Sequence, residues 1–186
     1  MERLALGDES ALEELYERWS GPLLSFLYGM CRDRDLAEDL MQGVFLKVWR
    51  AAPRYQPLAK FSTWLFQIAR NHFLNEREKR LRRVQPVSLD APGRLEDGST
   101  LAARVADDGP APDDLALSGE LGEHIAEAVA RLPEKLRSVW VLGAGQGLPY
   151  REVAEILEIP VGTVKSRMFQ AVRQLREELG PYVGSG

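Results

Sequence analysis

The stretch from Tyr150 to Arg176, YREVAEILEIPVGTVKSRMFQAVRQLR, narrows the possible folds more than any other part of the chain. Val153, Ala154 and Leu157 fall on one face of a short helix, and the small Ala154 lets a second helix cross closely. Glu158-Ile159-Pro160 then breaks the run. Pro160 disfavours helical geometry in the residue before it, and its fixed φ suits the start of a new helix. The second helix turns Val164, Met168, Val172 and Leu175 inward and leaves Thr163, Lys165, Ser166, Arg167, Gln170 and Arg173 for other faces. Such a pair matches the layout that lays a second helix in the major groove of DNA. An ordinary surface hairpin with a polar second helix would share part of this pattern. Glu158 stands at the corner position where glycine is usual. If the backbone there takes positive φ, the residue costs roughly 1 kcal/mol.

The 186 residues carry a net charge of −4, which looks wrong for a chain that binds DNA until it is divided. Residues 1–84 carry 14 basic and 12 acidic side chains, and residues 117–186 carry 8 and 9. Residues 85–116 carry 2 and 7, with four prolines and three glycines, so the acidity is concentrated in the middle. This is linker chemistry, with too little apolar area to offset the entropy of ordering. The predicted architecture is therefore all-α: two small helical domains, 1–84 and 117–186, joined by a flexible acidic linker, with a helix-turn-helix at the C-terminal end.

Function classes can also be excluded. One cysteine, Cys31, rules out an internal disulfide and suits a reducing cytoplasm; it reads as a buried small hydrophobe. His72 and His124 are far apart, and no cluster has metal-ligand spacing, so neither metal nor cofactor is expected. No phosphate-cradling glycine loop or nucleophile elbow occurs, which argues against an enzyme. No run is long and apolar enough to insert in a membrane, and the acidic N-terminus lacks a secretory core.

The first domain reads as three helices. Ala11, Leu12, Leu15, Tyr16, Trp19, Leu23 and Leu27 recur at helical steps, with a kink expected at Gly21-Pro22. Acids in Arg32-Asp33-Arg34-Asp35 cap the next helix, whose stripes are Leu36, Leu40, Val44 and Val48 beside Ala37, Met41, Phe45 and Trp49. Asp39, Gln42, Leu46, Lys47 and Arg50 are left on its outer side, the surface available to a partner. A third helix spans about 60–83, mixing aromatics with a cationic end at Arg77, Lys79, Arg80, Arg82 and Arg83. In the second domain Leu121, Ile125, Val129 and Leu132 mark one helix, stopped by Pro133. Leu136, Val139, Trp140 and Leu142 mark another, ended by Gly143, Gly145 and Gly147.

The segments EDLMQGVFLKVWR, FSTWLFQIARNHFLNERE and VGTVKSR, taken in order, strongly resemble the extracytoplasmic-function sigma factors of the sigma-70 family. The resemblance runs from about Ala11 to Leu179. It implies an alternative sigma factor that binds core RNA polymerase, directs it to specific promoters and promotes melting, without catalysis. Asp39, Gln42, Leu46 and Lys47 would dock on the polymerase. Trp64, Arg70, Asn71, Asn75, Arg77, Lys79 and Arg80 would engage the minus-ten element, with Phe66 a second candidate platform for an unstacked base. Thr163, Lys165, Ser166, Arg167, Gln170 and Arg173 would engage the minus-thirty-five element. A cognate anti-sigma factor is a further expected partner. Gly43 replaces a customary Glu, Asn75 a frequent Asp, and Gly143 to Gly147 a longer, charged helix end. The rival readings are a helix-turn-helix regulator that binds duplex without melting it and an all-helical adaptor. For the regulator, residues 1–84 lack the strand-alternating pattern of a phospho-receiver domain, and the adaptor does not explain why cations and aromatics share the third helix.

Overall fold

A computed structural model describes residues 1–84 and 120–183, and every regular element among them is helical. The acidic linker reading falls on residues outside that description, as does the side chain of Leu121. Helix α1 (Glu2–Ala5) leads into α2 (Glu9–Cys31), α3 (Arg34–Ala51), a 3-10 turn (Ala52–Arg54) and α4 (Phe61–Val84). The second half holds α5 (Glu120–Arg131), α6 (Glu134–Trp140), a π turn (Val141–Gly145), α7 (Tyr150–Leu157) and α8 (Val161–Val183).

Short polar side chains start the long helices. Asp8 accepts from the Ser10 amide at 3.0 Å, and Asp33 accepts from the Leu36 amide at 3.0 Å. Each cap satisfies an amide that the first turn leaves without a helical partner. The kink expected at Gly21-Pro22 does not end α2, which is assigned continuously from Glu9 to Cys31. Both residues are exposed, so solvent can serve the carbonyl whose amide partner the proline ring removes.

In the first module α2, α3 and α4 enclose Leu23, Phe26, Leu27, Val44, Val48, Leu65 and Phe66, all sealed from solvent. Trp19, Phe26, Phe61 and Phe66 form an edge-to-face chain, with Phe26 and Phe66 centroids 5.4 Å apart. Such pairs add about 0.5–1.5 kcal/mol beyond the area they bury. Phe66 is therefore core and not a platform for a base, which corrects one expectation. Gly43 makes the α3–α4 crossing close: a Cβ there would lie 2.3 Å from His72 Nε2.

The second module packs α5, α6 and α7 around α8. The inward stripe of α8 is Val164, Met168, Ala171 and Leu175, so Ala171 takes the central place expected of Val172, which is half-buried. The helix predicted through Leu142 gives way at Val141 to the π turn. There Met168 lies against Gly143, where a Cβ would meet its methyl at 2.6 Å. Glu158 has φ 56 and ψ 42, so the corner keeps the left-handed geometry that the sequence left conditional. The Ile159 amide closes it on the Ala154 carbonyl at 3.1 Å.

The two modules touch. α7 packs on α4, while α5, α6 and the π turn meet α2. This explains why Ile156 and Glu152 are buried in addition to Val153, Ala154 and Leu157: α7 is covered from two sides.

Candidate nucleic-acid interface

Asp39, Gln42, Leu46 and Lys47 all lie exposed on the outer side of α3, as its two apolar stripes require. Leu46 keeps 49% of its surface in solvent, an apolar residue among polar ones. Beside it Tyr16 of α2 stacks on Phe45 at 4.9 Å and remains 44% exposed. Helical spacing alone places Tyr16 on the core stripe; its exposed edge makes it a further candidate for a protein contact. Cys31 is half-buried and donates to the Asp33 carbonyl at 3.2 Å, so its expected full burial is not met. Burial raises its pKa.

The structure divides the proposed minus-ten set. Trp64, Asn71 and Asn75 follow one another at helical spacing along α4; both asparagines are exposed, while Trp64 packs against the edge of the core. Trp64 is half-buried and packs on Tyr55 at 4.7 Å and Phe61 at 5.8 Å. Tyr55 and Trp64, with Gln67, line an open groove of about 680 Å³, which Lys47, Arg50 and Arg54 edge with positive charge. The two rings meet edge to face at 61°, and an aromatic face with cations at its rim can hold an unstacked base and its phosphates. Tyr55 and Arg54 were not among the sequence candidates, because they fall in the turn and loop between α3 and α4, where no helical period assigns a face.

The remaining cations of α4 stand elsewhere. Arg70 donates to the Asn71 side-chain oxygen at 3.3 Å, while Arg77 lies on the flank facing the second module, where it pairs with Glu134. Lys79 and Arg80 approach Glu76 at 3.7 Å each. The same flank carries Lys60, whose ammonium donates to Glu152 at 2.5 Å, and Gln67, which donates to the Glu155 carbonyl at 2.9 Å. The hydrogen bond with Glu152 raises the Lys60 pKa. Burial lowers that of Arg137, and nearby Arg77 adds to the effect.

On α8 the exposed members of the minus-thirty-five set are Gln170 and Arg173; Thr163, Lys165, Ser166 and Arg167 are half-buried. Ser166 donates its hydroxyl to the Thr163 carbonyl at 3.1 Å, which leaves its oxygen lone pairs for a donor outside. Arg173 lies 3.8 Å from Glu177. The sequence reading missed Phe169. It is 56% exposed and sits opposite the buried stripe, between Ser166 and Arg173 at three- and four-residue steps. An apolar ring held in solvent on a recognition helix is suited to contact with a thymine methyl. Aromatic character suggests the interior; the wheel of α8, once Ala171 is known to face inward, points the ring out.

Among the described residues, no group of three or more His, Cys, Asp or Glu could hold a metal ion, and no helix is long and apolar enough to cross a membrane.

Comparison with known proteins matches residues 15–83 to the family model described as Sigma-70 region 2 and residues 123–175 to Sigma-70, region 4. The chain is 33% identical over 174 residues to the ECF RNA polymerase sigma factor SigW of Bacillus subtilis, covering 93% of this chain and 91% of that protein. It is 31% identical over 185 residues to the ECF RNA polymerase sigma-E factor of Escherichia coli, covering 98% and 94%. Among solved structures it resembles the sigma factor RpoE from Bartonella quintana, solved with the anti-sigma factor NepR. That match has a TM-score of 0.67 and 25% identity, over 90% of this chain and 96% of the other. CnrH, solved with the cytosolic domain of CnrY, shares the fold with a TM-score of 0.65 and 20% identity, over 96% and 94%.

Proposed function

Because the chain belongs to the extracytoplasmic-function sigma factors of the sigma-70 family, we propose that its two modules read the two elements of one promoter for core RNA polymerase. As an alternative sigma factor it directs polymerase to promoters. Residues 1–84 dock on the polymerase through Asp39, Gln42, Leu46 and Lys47, with Tyr16 beside them, and engage the minus-ten element. Residues 117–186 bind the minus-thirty-five element as duplex.

The observation that carries this reading is the outward face of Trp64, Asn71 and Asn75 beside the cationic groove, on the same chain as the helix-turn-helix. A regulator that only grips duplex needs the second surface and not the first. Melting needs no covalent chemistry: a base leaving the stack is captured on an aromatic wall, and its backbone is held by cations. Asn71 and Asn75 each offer a donor and an acceptor to the edge of such a base. Arg70, Arg77, Lys79 and Arg80 serve the backbone. At the upstream element Thr163, Lys165, Ser166, Arg167, Gln170 and Phe169 face base edges or nearby phosphates, and Arg173 holds phosphate.

The protein works in the cytoplasm with the polymerase and has no catalytic role of its own. Relatives solved with anti-sigma factors support a cognate antagonist here. The test is transcription from genomic fragments by core polymerase with and without the purified chain, with start sites mapped. Start sites that appear only with the chain and share two aligned upstream elements are expected. No start sites beyond those of core alone would overturn the reading.

A further inference from the structure

The groove beside Trp64 has one wall that no long helix supplies. Of residues 52–60, which run from the 3-10 turn to the start of α4, only Ala52 is buried, at 3% exposure, and Gln56 to Lys60 are all exposed. Tyr55 follows the turn directly. Its amide donates to the Ala52 carbonyl at 3.2 Å, and its ring meets Trp64 at 4.7 Å. The backbone that carries Arg54 and Tyr55 is therefore anchored at Ala52.

The element that packs on this turn is α1. Its four residues make too short a helix to persist by itself, because nucleation costs more than so few hydrogen bonds return. Two contacts hold it. Leu4 is buried at 3% exposure in the same apolar cluster as Ala52. Arg3 is engaged at all three guanidinium nitrogens: Nε donates to Asp8 Oδ2 at 2.8 Å, Nη1 to the two Glu14 oxygens at 2.9 and 3.0 Å, and Nη2 to Ser10 Oγ at 2.9 Å. Asp8 is also the cap of α2, so one side chain fastens α1 to the opening turns of α2. The chain between the two helices reverses at Gly7, where the φ of 85 suits glycine. Exposed ion pairs add little stability, but a planar fork held at every nitrogen fixes a direction.

We propose that Arg3 is a positioning residue for promoter opening: by latching α1 to α2 it seats α1 against the 3-10 turn and holds Arg54 and Tyr55 at the angle that receives an unstacked base. This role rests on the promoter reading of the groove given above. Arg3 itself touches neither DNA nor polymerase.

The test uses holoenzyme assembled from core polymerase and the full chain. The probe is a fluorescent single-stranded oligonucleotide carrying the non-template minus-ten sequence of a start site mapped with the wild-type chain. Wild type, Arg3→Ala, Tyr55→Ala and the double variant are compared below all of their unfolding midpoints. Core polymerase affinity is measured separately, by competition with labelled wild type.

Arg3→Ala is expected to weaken oligonucleotide binding roughly tenfold, the factor for a wall that is competent about one tenth of the time, and to leave core affinity unchanged. In the Tyr55→Ala background the same substitution should change affinity by less than about twofold, because residues that act through one another are not additive. Arg3→Lys keeps the charge without the fork and should stay weak; full recovery would overturn the latch. Wild-type oligonucleotide binding by Arg3→Ala would also overturn it, as would an equal loss in both backgrounds or a loss of core affinity that accounts for the whole effect. If Arg3→Ala fails to fold, Ser10→Ala with Glu14→Gln frees the guanidinium from the α2 side and decides by the same measurements. These outcomes strike the latch and leave the promoter reading standing. Wild-type oligonucleotide binding by Tyr55→Ala, or no initiation from any template, would sink the reading of the groove and the latch with it.

Discussion

Gly43 tests how tightly the first module is built. A Cβ at this position would lie 2.3 Å from His72 Nε2 and 3.0 and 3.3 Å from two ring carbons, where ordinary contact begins at 3.4 Å. The half-buried ring would have to move by about 1 Å, and overpacking of this kind costs about 1–3 kcal/mol. Against that, alanine in a helix interior gains about 1 kcal/mol over glycine. Gly43→Ala should therefore leave the protein between unchanged and about 2 kcal/mol less stable. With His72→Ala already in place the obstacle is gone, and the same substitution should stabilise by about 1 kcal/mol. Urea unfolding of the four proteins, followed by tryptophan fluorescence, yields the coupling, expected at about 1–3 kcal/mol. Equal stabilisation in both backgrounds would refute the reasoning, because it would mean that the two helices do not meet at this point.

Other consequences follow from single contacts. Glu158→Gly should raise stability by about 1 kcal/mol, since it relieves the left-handed φ of 56 and removes a negative charge from the end of α7. Glu158→Ala removes only the charge, so a thermal midpoint equal to that of the glycine variant would contradict the strain. Burial, with smaller effects from Lys47 and Lys79 and opposition from Glu76, lowers the His72 pKa below 6.5. The unfolded chain then binds the proton more readily, so stability is lost as pH falls from 6.5 toward the folded pKa. His72→Gln should flatten that acid limb in unfolding curves taken across the range. Phe169→Ala should cost about 1 kcal/mol of binding to minus-thirty-five duplex, and only where a thymine methyl is present; an equal loss on uracil-substituted duplex would rule out that contact. Asp39→Ala with Gln42→Ala should weaken core polymerase binding without changing the thermal midpoint, and unchanged affinity would remove both residues from the interface.

Much of this was legible before the structure because period and punctuation are local properties. The stripes of α3 and the Asp33 cap follow from residue order alone, and so does the exposure of Asp39, Gln42, Leu46 and Lys47. The break at Pro160 was legible for the same reason, whereas the αL geometry at Glu158 was only a condition until the structure supplied the φ of 56. What was hidden depends on packing between segments far apart in the chain. Ile156 and Glu152 are buried because α4 covers α7, and no pattern within α7 announces a second neighbour. Ala171 outranks Val172 because small residues allow helices to approach, a preference that hydropathy does not record. Phe66 and Trp64 are two residues apart and equally aromatic; the crossing of α2 over α4 decides which is sealed. Phe169 escaped notice because aromatic character suggests the interior, and only the orientation of α8 shows it outside.

Strand opening is the step that separates a sigma factor from every duplex-binding alternative. Permanganate reactivity of thymines across a promoter bound by core polymerase and this chain measures it directly. Reactive thymines should appear over the minus-ten element and its downstream flank, and should fade when Trp64 is replaced by alanine in a protein that still binds polymerase. A footprint over both elements without any reactive thymine would contradict the account.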